Sequence, residues 1–133
     1  MCKNCKFLIK PFLTIFPLLG KQLLECLENG VSMFPKLEGR FPQVSGISFA
    51  FDPEKPAGKR IDPEFVKVGD EYLDLDPKSK KTYRLATKAY LANGKDGYDV
   101  LAKCKQVCGY STVFNFTIKN VYFLSKLLLI TVN

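Results

Sequence analysis

Histidine and tryptophan do not occur in this chain, and methionine occurs only twice. The missing histidine removes the commonest general base and the commonest nitrogen ligand for metals. Hydrolysis at a binuclear metal centre would need ligands that these residues do not supply. Acidic residues are absent from both ends. Between Leu18 and Cys108, 15 Lys and Arg face 13 Asp and Glu, whereas the remainder holds five lysines (Lys3, Lys6, Lys10, Lys119, Lys126) and no acid. Much of the formal net charge of +7 therefore comes from two unusual ends. A nucleic-acid footprint is a clustered basic face with aromatic or polar readers, so no nucleic-acid partner is expected. The five cysteines are an odd number and define no clear disulfide framework, which leaves the redox compartment open. Cys2-x-x-Cys5 and Cys104-x-x-x-Cys108 could be drawn as a four-thiolate zinc site. The second spacing is loose, and neither a metal nor another cofactor is expected to be held by this chain.

What is present is ordinary globular material: 133 residues, 47% hydrophobic and 25% charged, enough for one small domain or part of a larger one. Three zones differ in texture. Residues 1–17, MCKNCKFLIKPFLTIFP, are basic and then apolar. They suggest a weak signal or anchor, although Lys10 and Pro11 interrupt the run and no small-x-small cleavage pattern follows. Residues 109–133 are an apolar tail without Asp, Glu, Pro or Ala. From Val113 to Val132 this tail is long enough to span a bilayer, but it carries Asn115, Lys119, Asn120 and Lys126, each costly at membrane depth. It also has the look of translated AT-rich non-coding sequence, and Asn115-Phe116-Thr117 is a glycosylation sequon of a kind that arises often by chance.

The central zone, 18–108, reads as α+β. GKQLLECLENGVSMF sets Leu23, Leu24, Leu27 and Val31 at helical spacing, with Gly30 as a candidate C-cap. FPQVSGISFAFD alternates as one half-buried strand. DPEKPAGKR is a Pro/Gly/charge loop, and FVKVGDEYLDLD a hairpin turning at Gly69-Asp70. SKKTYRLATKAYL is a strand with Tyr83, Leu85, Thr87 and Ala89 on one face, and GYDVLAKCK opens a helix with Val100, Leu101 and Cys104 on one side. The expected fold is a layered mixed sheet with helices.

Between the last strand and the last helix lies AYLANGKDGYDV. Tyr90 offers a flat ring, and base–aromatic stacking contributes roughly 1–3 kcal/mol. Asp96 offers a carboxylate able to accept from two adjacent hydroxyls. Gly94 and Gly97 flank Lys95-Asp96 and let the backbone take positive φ close to a ligand. The alternative is a plain connector, with Asp96 capping the next helix and Tyr90 in the core.

Three blocks, GKQLLECLENGVS, GRFPQVSGISFAFDP with the loop KPAGKR, and YRLATKAYLANGKDGYDV, occur in an order that resembles the C-terminal domain of the 5′-nucleotidase family, over roughly Leu18 to Val107. The resemblance implies a partial copy of a two-domain hydrolase of nucleotide catabolism. Its metallophosphoesterase domain, with two divalent metals on His, Asp and Asn, is not expected in this chain. The C-terminal domain of the family commonly stacks a nucleobase between two aromatic rings. Tyr90 matches the later ring, usually Phe, and Asp96, six residues on, matches the aspartate that holds the ribose hydroxyls. The earlier ring belongs to a Pro-Phe pair eleven residues before the glycine that starts the helix. Pro11-Phe12 stands only eight before Gly20, so Phe12 departs from the pattern.

The resemblance therefore implies recognition of a nucleoside or nucleotide-like small molecule without catalysis by this chain. The alternatives are a non-enzymatic nucleoside-binding module and a membrane-tethered module. An extracellular or membrane-associated location is the corresponding expectation. Strands whose family partners lie upstream are expected to be left as unpaired edges.

Overall fold

The computed structural model describes residues 13–105, 108–109 and 127–131. Cys2 and Cys5 of the four-thiolate arrangement considered above, the ring of Phe12, the sequon at Asn115 and most of the apolar tail lie outside these residues. Strand β1 (Leu13–Leu19) leads directly into helix α1 (Gly20–Val31). Strands β2 (Gln43–Ser45), β3 (Ile47–Ser48), β4 (Lys67–Val68), β5 (Glu71–Tyr72) and β6 (Thr82–Lys88) follow. A one-turn helix α2 (Ala89–Ala92), a short helix α3 (Asp99–Lys103) and strands β7 (Cys108–Gly109) and β8 (Leu127–Thr131) complete the described chain. A mixed sheet runs in the order β2-β8-β6-β1-β7, and a small antiparallel sheet in the order β3-β4-β5. In the larger sheet β2 and β8 are parallel, whereas β8–β6, β6–β1 and β1–β7 are antiparallel. This is the α+β fold expected from the sequence.

Helix α1 closes one layer of the core. Its positions 23, 26, 27, 30 and 31 repeat at the three-and-four spacing of a buried helical face, and all are buried. That face packs on β1, β6 and α3. The first helical residue must be glycine, because the chain passes there against the Asp74 carbonyl: a Cβ at Gly20 would lie 1.8 Å from that oxygen. The Leu19 N–H, otherwise an orphan donor of the first turn, is taken by Gln22 Oε1 at 2.9 Å.

Gly30 does not end the helix, as its type had suggested. It stays inside α1, where a Cβ would meet Pro42 Cδ at 2.6 Å and the Tyr98 hydroxyl at 3.2 Å. Close packing, rather than a left-handed cap, requires glycine there. The helix end is held from outside instead. Arg60, in the KPAGKR loop, donates to the carbonyls of Val31, Phe34 and Lys55. Beside it the Ile61 N–H donates to the buried carboxylate of Glu28 at 2.7 Å.

The core joins Phe16 and Leu18 of β1, Leu23 and Leu27 of α1, and Tyr83 and Leu85 of β6, all 1% exposed or less. β1 thus runs through residue 17, the expected boundary between the N-terminal segment and the central zone. Its full length pairs with β6, from Leu13↔Lys88 to Leu19↔Thr82. Strand β6 is not left as an edge, since β8 covers its other side. Leu127–Thr131, within the run considered as a membrane span, is strand here, and among the described residues no helix is long and apolar enough to cross a membrane.

The segment expected as one strand from Phe41 to Asp52 is broken at Gly46, whose φ of 77° turns the chain from the large sheet into the small one. The Gly46 carbonyl then accepts from the Gly69 N–H at 2.9 Å, which ties the break to the β4–β5 hairpin. That hairpin turns at Gly69-Asp70, as the sequence indicates.

Candidate functional site

Along β6 the side chains of Tyr83, Leu85 and Thr87 point into the core in the two-residue alternation of a strand. The alternation stops at Lys88. Ala89, expected on the same strand face as Tyr83, Leu85 and Thr87, instead begins α2. One helical turn seats Leu91 and Ala92 in the core, each 2% exposed, and turns Tyr90 outward, 55% exposed. Helix α2 ends against Gly94, which takes φ 78°, and its N–H returns to the Leu91 carbonyl at 2.9 Å.

A turn at Lys95–Gly97 follows, and here two consecutive residues are left-handed: Asp96 at φ 56° and Gly97 at φ 80°. Asp96 is the only non-glycine residue with positive φ among the described residues. Aspartate accepts this region better than most residues, but the conformation still costs roughly 1–2 kcal/mol. It must therefore be held by its surroundings.

The left-handed turn folds Asp96 back toward α2, and the Tyr90 hydroxyl donates to Asp96 Oδ1 at 3.1 Å. This hydrogen bond, together with the carboxylate's negative charge, holds the Tyr90 phenol above its ordinary pKa of 10.0. An exposed tyrosine and a half-buried aspartate thus stand side by side, joined through their side chains. The pair can stack a planar group and accept hydrogen bonds from hydroxyls beside it. Two details of the plain-connector alternative differ from the structure. Tyr90 lies outside the core, and the N-cap position before α3 is Tyr98, with no side-chain cap hydrogen bond, so Asp96 does not cap the helix. The core tyrosine of this stretch is Tyr98, 1% exposed, and burial pushes its phenol above the ordinary pKa.

Behind the turn lie groups that reading the sequence did not single out. Asn29, in the last turn of α1, donates from Nδ2 to the Asp96 carbonyl at 3.1 Å. Arg40 Nη1 stands 3.5 Å from Asn29 Oδ1, and the Tyr98 hydroxyl donates to the Arg40 carbonyl at 2.8 Å. A Cβ on Gly97 would lie 2.6 Å from Asn29 Oδ1. The signal for Gly97 was present in KDG, but its neighbours Asn29 and Arg40 come from α1 and the loop after it, and nothing local to the turn points to them.

Of the expected binding residues, Tyr90, Gly94 and Asp96 are brought together within one loop, and Phe12 lies outside the described residues. An open groove of about 480 Å³ between Phe34, Leu37 and Phe41 includes neither Tyr90 nor Asp96 in its lining. Among the described residues no group of three or more His, Cys, Asp or Glu side chains is placed to hold a metal ion.

Residues 8–103 match the family described as 5′-nucleotidase, C-terminal domain. The crystal structure of the 5′-nucleotidase precursor from Thermus thermophilus is similar, with TM-score 0.65 and 40% identity, across 76% of this chain and 19% of that one. The trifunctional nucleotide phosphoesterase protein YfkN of Bacillus subtilis (strain 168) is 35% identical over 101 residues, 71% of this chain and 7% of that protein. The snake venom 5′-nucleotidase of Naja atra is 32% identical over 100 residues, 70% of this chain and 17% of that protein. The chain thus spans less than a fifth of the length of each of these relatives. With most of its residues matched and a similar fold over three quarters of the chain in a solved 5′-nucleotidase, the chain belongs to the 5′-nucleotidase C-terminal domain family.

Proposed function

We propose that the domain recognises the nucleoside part of a nucleotide or related phosphoester, and that it does not cleave the ester itself. The base stacks on the open face of Tyr90, and the ribose hydroxyls donate to the Asp96 carboxylate. One observation carries the reading: Tyr90 is exposed to solvent while its hydroxyl and the Asp96 carboxylate are joined at 3.1 Å. Gly94 serves by its backbone, its left-handed φ bringing the turn back on α2. Phe12 is kept as the second face of the stack, on the strength of the resemblance alone.

Cleavage of a phosphoester by this kind of protein is assigned to divalent metals in a metallophosphoesterase domain, where the metal generates the nucleophile and offsets developing charge. The histidines for such a centre are absent from this sequence. The role in nucleotide catabolism is therefore that of a recognition domain acting with a catalytic one. A non-enzymatic nucleoside binder would use the same residues in the same way. An extracellular setting accords with the venom relative, and resistance of the chain to carbonate extraction from membranes would favour tethering instead.

Titration calorimetry of adenosine into the chain tests the reading. Saturable binding that is lost in both Asp96→Ala and Tyr90→Ala is expected. Binding that survives both substitutions, or is absent from the wild type, overturns it. Hydrolysis of AMP by the pure chain, abolished by a chelator, would overturn the non-catalytic assignment.

A further inference from the structure

Asp96 can offer its carboxylate to a sugar only while its backbone stays left-handed, and nothing intrinsic to an aspartate keeps it there. One contact that meets the turn from behind is the Asn29 amide, whose Nδ2 donates to the Asp96 carbonyl at 3.1 Å. Asn29 stands on α1, the most regular element bordering the loop, and is half-buried there. Its own placement is set on two sides. Arg40 Nη1 lies 3.5 Å from Asn29 Oδ1, a long contact that still favours the oxygen facing Arg40 and the donor facing Asp96. Arg40 is in turn held at its carbonyl by the buried Tyr98 hydroxyl. Gly97 completes the fit: any side chain there would enter the space of Asn29 Oδ1 and Arg40 Nη1, at 2.6 and 3.3 Å. Helix, loop and turn therefore meet at one amide.

We propose that Asn29 is a positioning residue for Asp96, fixing the left-handed turn and so setting how strongly the site prefers a sugar with two adjacent hydroxyls. The inference rests on the nucleoside reading above and adds to it a residue from a different element. Asn29 bonds the main-chain carbonyl of Asp96 and leaves its carboxylate to the sugar. It acts on the direction of the Asp96 carboxylate and leaves the stacking face of Tyr90 alone. Loss of its donor therefore weakens sugar recognition and spares base recognition.

The experiment measures calorimetric affinities of the full chain for adenosine, 2′,3′-dideoxyadenosine and free adenine. The wild type, Asp96→Ala, Asn29→Asp and Asn29→Ala are compared, with thermal melts in parallel. Asn29→Asp keeps the shape and the acceptor for Arg40 but removes the donor. Asn29→Ala is the second variant should the first not fold. The expected result is that the preference for adenosine over the dideoxy compound falls by about fivefold or more in the Asn29 variants, as strain of this size implies. Adenine affinity is expected to stay unchanged. A preference that survives in the Asn29 variants while Asp96→Ala abolishes it overturns this inference alone. Equal loss of adenine affinity also overturns it, because a general structural role would lower both. A wild type with no preference overturns this inference together with the nucleoside reading.

Discussion

Gly97→Ala is the most informative single perturbation of the turn, because two costs coincide there and a second glycine separates them. Gly97 has φ 80°, and an alanine in that region loses about 1–2 kcal/mol relative to glycine. The new Cβ would also stand 2.6 Å from Asn29 Oδ1, closer than such contacts allow. The Asn29 amide is the end of a side chain and can swing away, so the turn is not destroyed. Swinging away breaks its hydrogen bond to the Asp96 carbonyl, a loss of about 0.5–1.5 kcal/mol.

Gly58 is the control. Its φ is 86°, and a Cβ there meets nothing within 4 Å. Gly58→Ala therefore carries the backbone cost without the steric one, and the entropy that alanine removes from the unfolded chain is common to both variants. Urea denaturation followed by circular dichroism should place Gly97→Ala below Gly58→Ala by about 0.5–1.5 kcal/mol. Both should lie below the wild type. If the two variants agree within about 0.3 kcal/mol, a difference at the level of independent-site scatter, the Asn29–Gly97 contact does not hold the turn and the reasoning fails.

Three further outcomes follow from the same structure. The Tyr90 phenol is held up by its hydrogen bond to the Asp96 carboxylate, so the stability it contributes is present below its ordinary pKa of 10.0 and is lost as pH rises through the higher folded value. Asp96→Asn should move one tyrosine midpoint of the ultraviolet phenolate titration down toward that ordinary value, and Tyr90→Phe should remove the same midpoint. Gly20→Ala places a Cβ 1.8 Å from the Asp74 carbonyl and is expected to cost about 3 kcal/mol or more, seen as a large drop in melting temperature. Arg60→Ala removes one of two donors to the Val31 carbonyl at the end of α1 and the donor to the Phe34 carbonyl beyond it, and should lower stability by about 0.5–1.5 kcal/mol in the same melt, with adenosine affinity unchanged.

Much of this fold is legible in the sequence. The α1 face from Leu23 to Val31, the hairpin at Gly69-Asp70 and the alternation of Tyr83, Leu85 and Thr87 are local periodicities, and each is determined by neighbours within a few residues. Tyr90, Gly94 and Asp96 stand apart from these: their residue types alone leave a plain connector open, and only the family resemblance singles them out as a pocket.

What only the tertiary structure decided are matters of distant approach. Gly30 sits within a helix because Pro42 and Tyr98 press on it, not because the chain must turn there. Gly46 diverts a strand between two sheets, a choice settled by which partner strands are available on either side. β1, with Pro17 within it, becomes a strand through pairing with the distant β6, and no local pattern announces that partner. The left-handed Asp96 is of the same kind. Its composition permits the conformation, but the amide that meets it comes from α1, and a hydrogen bond spanning 67 residues leaves no trace in the residues beside it.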